Sequence, residues 1–104
     1  MVNPLAGEVT VTVDGVPHCC KLTLGALAEM EATMGAESLV DLVARFETGK
    51  FSSRDVMALV VAGLRGGGWE GSAADLLRAD IEGGAVGAAQ AAATLLVRAF
   101  SPPS

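Results

Sequence analysis

The side chains best suited to covalent or acid–base chemistry stand side by side in this sequence: His18, Cys19 and Cys20. An imidazole can activate a neighbouring thiol only if the two converge and a third group orients the base. On a strand, successive side chains point to opposite faces, so Cys19 turns away from both its neighbours. The triplet also lacks the four convergent ligands that a structural zinc ion needs. A disulfide between adjacent cysteines is strained, which leaves one buried and one exposed thiol in a reducing compartment as the expectation. His18 is read as structural.

Gly66-Gly67-Gly68 suggests a phosphate loop at first sight. The Lys-Ser/Thr ending of such loops is missing, and the residues before it read as a helix where a phosphate loop follows a strand. The triplet is read as a flexible connector. The carboxylates Glu29, Glu31, Asp41, Glu47, Asp55, Asp75, Asp80 and Glu82 fall where helix caps and solvated faces belong. None forms an acid–base pair, so neither a catalytic residue, a metal site nor a cofactor is expected. Trp69, the only tryptophan, follows the glycines. It either folds back to seal the core or serves as an aromatic anchor for a partner. Trp69, Phe51, Met57 and Val61 are the candidate partner-binding residues.

The elements that hold these residues follow from local pattern. Glu8 to Val13 alternates strictly, which favours a strand with one buried face, and Asp14-Gly15 is a type I′ hairpin signal. The return strand is expected from Val16 to about Leu24, with Pro17 at a sheet edge. A two-residue loop sets Val13 opposite Val16, Val11 opposite His18, Val9 opposite Cys20 and Glu8 opposite Lys21. Val9, Val11, Val13, Val16, Cys20 and Leu22 then share the inner face.

Helices are expected at about 24–34, capped by Thr23 and stopped by Gly35, and at 39–48, capped by Ser38 and stopped by Gly49. Ser52 with Asp55 forms a capping-box pattern opening a third helix, 53–65. Val56, Leu59, Val60 and Leu64 face inward there, and Met57 and Val61 widen the stripe enough to make the helix central. Ser72 with Asp75 repeats the pattern and opens a helix over 73–82 that buries Leu76, Leu77 and Ile81. The last helix, 85–100, begins with small residues that should be tightly embraced and ends with large ones, and 101–104 form a tail. The expected fold is α+β, an N-terminal hairpin packed on about four to five helices in a single domain over 1–104.

Composition narrows the function. Apolar residues make up 51% and charged residues 18%. Such a chain folds, and it leaves apolar surface to spare for a partner. The net charge is −5, from twelve acidic and seven basic residues. The basic ones are scattered, against the basic stripe of nucleic-acid binders. No secretory signal is expected at Met1-Val2-Asn3-Pro4. The most apolar stretch, Gly84 to Phe100, is interrupted by Gln90 and Arg98 and reads as a buried helix, not a membrane span.

Across residues 3 to about 98 the sequence resembles the tail assembly chaperones of gene transfer agents and tailed phages. The resemblance is carried by Asn3-Pro4-Leu5-Ala6-Gly7-Glu8, by Leu22-Thr23-Leu24-Gly25-Ala26-Leu27-Ala28-Glu29-Met30-Glu31, and by Phe51-Ser52-Ser53-Arg54-Asp55 with the run into Gly63-Leu64-Arg65-Gly66-Gly67-Gly68. Some relatives are labelled tail tube proteins instead. The resemblance implies a non-enzymatic protein that coats the tape measure protein in the bacterial cytoplasm before the tube polymerises. The alternative it implies is a structural tail component carried in the particle. Spare apolar surface also suits self-association into a homo-oligomer.

Overall fold

The computed structural model describes residues 7–34 and 39–100. Strands β1 (Val9–Val13) and β2 (Val16–Cys20) form an antiparallel hairpin. Asp14 (φ +50°) and Gly15 (φ +80°) both have positive φ, as a type I′ turn demands. The register matches the expectation, with Val13 opposite Val16, Val11 opposite His18 and Val9 opposite Cys20. Five helices follow: α1 (Leu24–Met34), α2 (Leu39–Thr48), α3 (Ser53–Gly66), α4 (Ala73–Leu77) and α5 (Gly84–Phe100). The architecture is α+β, as expected.

Helix α3 is central. It packs against α1, α4, α5 and β2, while α5 also packs on β1. Its Leu59, Val60 and Leu64 are fully buried, each worth roughly 1.5–3 kcal/mol relative to exposure. Ser52 caps it: the Ser52 hydroxyl accepts from the Asp55 N–H at 3.2 Å, and Asp55 Oδ2 accepts from the Ser52 N–H at 2.9 Å. Arg45 of α2 grips the same carboxylate with two bonds of 2.9 and 3.0 Å. Phe46 stacks on Phe51 nearby, with ring centroids 4.5 Å apart. This combined contact fastens α2 to the start of α3. Thr23 caps α1 through the Ala26 N–H (3.0 Å), and Gly49 (φ +74°) ends α2. The caps and stops expected at Gly35 and Ser38, and the 101–104 tail, lie outside the described residues.

Five expectations need correction. The return strand ends at Cys20 instead of running to Leu24: the Lys21 N–H, on the edge of β2 away from β1, donates to Gly63 O at 2.9 Å and ties the chain to α3. The pairing therefore stops one rung short of Glu8–Lys21, and Glu8 instead accepts a bond from the Cys19 thiol at 2.9 Å. Val16 stands at the hairpin tip and is 54% exposed, although it shares its face with buried Val13.

Helix α4 stops at Leu77, not Glu82. Asp14 captures the chain beyond it: Asp14 N–H donates to Asp80 O (2.7 Å), and Asp14 Oδ1 accepts from the Asp80 N–H (2.8 Å). Glu82 N–H donates to Thr12 O (3.0 Å), so Ile81 bridges to Val13 as a fragment of a third strand. Leu77 is exposed as a result, and Ile81 is half-buried. In α5, Ala88 and Ala92 are tightly enclosed, but Ala85 and Val86 are exposed.

The fifth correction concerns Gly66-Gly67-Gly68. Gly66 completes α3 and Gly67 caps it. With Gly63, they form a helical face lying directly under β2. A Cβ on Gly66 would sit 2.0 Å from Lys21 O, and one on Gly67 would sit 1.7 Å from Cys19 O. A Cβ on Gly63 would lie 2.7 Å from Leu95 Cδ1 and 3.4 Å from Cys20 Cβ. These glycines are a packed crossing of helix and strand, and only Gly68 (φ +103°) has open space around it.

Candidate functional site

An open groove of about 600 Å³ runs between α1 and α3. Ala26 and Met30 supply one wall, and Met57, Ala58, Val61 and Ala62 the other. The walls are apolar because each helix turns toward the groove the margin of a stripe whose centre is in the core: Met30 and Ala62 are buried, Met57 and Val61 half-buried. At the rim, Arg65 Nε meets Glu29 Oε1 at 2.8 Å. Both ends of this pair are exposed, so its worth to stability is small, and it marks the border of the apolar surface. Arg54, Ser52 and Asp55 complete the border near the start of α3.

The groove unites two of the four residues singled out from the sequence, Met57 and Val61. Trp69 lies elsewhere, half-buried beside a smaller pocket of about 320 Å³ formed with His18, Cys19, Leu64, Gly67, Gly68 and Glu70. Its backbone N–H donates to Leu64 O at 2.9 Å, and Gly71 lies so close to the ring that a Cβ there would sit 2.1 Å from it. Trp69 packs one side against the core and leaves the rest of its ring half-exposed. Phe51 stacks on Phe46 outside the groove lining and is half-buried. Sequence reasoning missed the α1 wall, Ala26 and Met30. Their signal was a four-residue spacing on one face, which looks the same whether the face meets the core or a groove.

The thiols are held in their protonated form. The bond from Cys19 to the Glu8 carboxylate raises the Cys19 pKa, with burial adding to it. Burial, then the neighbouring Cys19, pushes Cys20 up to about 12. Because the thiolate is the reactive species, a thiol reagent near neutral pH is expected to label Cys19 slowly in the native protein and Cys20 only after denaturation. Time-resolved labelling followed by peptide mass spectrometry checks this; rapid native labelling of Cys20 would contradict the packing around it. Among the described residues, no three His, Cys, Asp or Glu side chains are grouped to hold a metal ion. Among them too, no helix is long and apolar enough to cross a membrane.

This arrangement offers surface complementarity: a groove with adaptable walls and a charged border, on a helix pinned at both ends. Residues 6–102 match the family model described as phage tail tube protein, GTA-gp10. No curated protein and no solved structure matches the chain.

Proposed function

Because the chain belongs to the phage tail tube protein, GTA-gp10 family, we propose that it works without catalysis, as a tail assembly chaperone that binds the tape measure protein. The observation that carries this reading is the α1–α3 groove. Its width lies between two helices, and its walls offer Met30 and Met57 beside small residues. An amphipathic partner helix lays its i, i+3, i+4, i+7 side chains into such a groove. Methionine adapts to varied partners because it is unbranched and polarizable, which suits a helper that must cover many similar stretches of one long molecule. A net charge of −5 makes the copies mildly self-repelling, which favours solubility while they do so. The reading places the protein in the bacterial cytoplasm, acting before the tube closes.

The sheet supports the same reading. Three outward-facing groups on β2 are covered, bonded or missing: Pro17 has no N–H, Gly67 crosses over Cys19 O, and the Lys21 N–H is bonded to Gly63 O. On β1, Thr12 O and Asp14 N–H are bonded to residues 80–82. Strand addition, one route by which subunits polymerise, is thus hindered at the turn end of β1 and at the Cys19–Lys21 end of β2. The second reading, a structural tail component, is favoured by the family's own description as a tube protein.

Co-expression with the tape measure protein tests the proposal. The wild-type chain is expected to raise its soluble yield several-fold, and the double variant Met57→Lys, Val61→Lys to return it to the level without helper. Circular dichroism verifies that the variant is folded. An unchanged yield with the wild type would sink the chaperone reading, and stoichiometric recovery of the chain in purified particles would establish the structural one.

A further inference from the structure

Helix α5 carries an apolar face that the core does not use. Ala88, Ala92, Leu95 and Leu96 turn inward and are buried. On the opposite side stand Val86, Gln90, Ala93, Val97 and Phe100, at successive spacings of four, three, four and three residues. This alternation keeps one stripe of a helix against a partner helix and is the pattern of a coiled-coil seam. Val86, Val97 and Phe100 are 69%, 65% and 51% exposed. Large apolar side chains exposed singly are ordinary, but three in register along one helix form a patch.

Charge and symmetry indicate the occupant. Arg98 is the only charged residue of α5, and its guanidinium donates to the Glu8 carbonyl, off the seam. In a two-fold contact, every residue near the axis meets its own copy, so a charge there would meet its own sign. An uncharged stripe lets two chains of net charge −5 approach without such a contact. The ends of the stripe are also equidistant from its middle: Val86 and Phe100 each lie seven residues from Ala93. We propose that a second copy of this chain occupies the face, in an antiparallel pair centred on Ala93. Val86 then packs against Phe100 of the partner subunit, and the small Ala93 side chains let the helices approach at the axis. Antiparallel helices also set opposite dipole ends side by side.

The seam is short, about 21 Å at about 1.5 Å per residue. It buries less than the roughly 800 Å² per partner of a standard stable interface, so the pair is a weak one, formed at high local concentration. The proposal does not depend on the groove or on its partner.

Sedimentation equilibrium of the full chain over a range of protein and salt concentrations tests it. The expected result is a monomer–dimer equilibrium that tightens with added salt, as the repulsion between two acidic copies is screened. Val97→Glu, at an exposed position that leaves the fold intact by circular dichroism, is expected to weaken the pair about tenfold or more. The groove variant Met57→Lys, Val61→Lys is expected to dimerise like the wild type. Under mild oxidation, a mixture of Val86→Cys and Phe100→Cys chains should crosslink faster than either alone, with the wild type as the background. A chain that stays monomeric throughout overturns the proposal. So does a dimer that Val97→Glu leaves intact, or faster crosslinking of Val86→Cys with itself, which would mean a parallel pair.

Discussion

Gly67→Ala is expected to lower the unfolding free energy by about 3 kcal/mol, the upper end of the cost of overpacking a core. The backbone of Gly67 is not the reason, since its φ of −89° is open to any residue. The added methyl would sit 1.7 Å from Cys19 O, and that oxygen belongs to a strand that cannot step aside. Relief would require α3 and β2 to separate, opening the contact that Lys21 N–H and Gly63 O close. Gly66→Ala faces the same obstacle at Lys21 O, 2.0 Å away, and is expected to cost a similar amount. Gly68→Ala is the control. Its surroundings are open, so only its positive φ is penalised, by about 1–2 kcal/mol. Urea unfolding of the three variants, followed by circular dichroism, should place Gly66→Ala and Gly67→Ala together and well below Gly68→Ala. Equal losses at all three positions would mean that the triplet serves backbone freedom and not close packing. Domains of this size hold only about 5–15 kcal/mol in total, so either close-packed variant should also express poorly.

Asp55→Ala is the second large loss, about 2–4 kcal/mol. One carboxylate carries three tasks: it accepts the Ser52 N–H, and it takes both arms of the Arg45 guanidinium. Removing it strips the cap from the central helix and leaves Arg45, 27% exposed in its side chain, without this partner carboxylate. Arg45→Met should cost less, because Asp55 keeps its bonds to Ser52. The pH dependence supplies an independent check. Burial, the largest single influence, raises the Asp55 pKa, but the Ser52 N–H, the Arg45 guanidinium and the Ser52 hydroxyl together outweigh it, and the folded value lies below the ordinary one. A lowered folded pKa means that the stabilisation is complete above the unfolded value of about 3.9 and is lost as pH falls through the folded value. The stability difference between wild type and Asp55→Ala should therefore be constant above about pH 5 and shrink in acid. A difference that held constant to low pH would show that the carboxylate is not what joins α2 to α3.

The hairpin register and the capping boxes were legible from the sequence because their causes are local. Asp14-Gly15 selects the turn, alternation selects the face, and Ser52 and Ser72 each find an acidic residue three positions on. Met57 and Val61 stood out as a widened stripe. The groove they line needed α1 as its other wall, and which helices become neighbours is not written in either one alone.

The family and the α+β order of elements are properties of the sequence itself, carried by short-range pattern and by motifs a few residues long. The tertiary structure decided the rest, at places where a backbone group is claimed from far along the chain. Asp14 ends α4 by bonding Asp80, sixty-six residues away. Cys19 and Lys21 turn a glycine run that reads as a loose connector into a tight crossing. Hydrogen bonds and steric exclusion act over a few ångströms in space, whatever the separation in sequence, so local pattern yields wherever a distant segment satisfies the same group better.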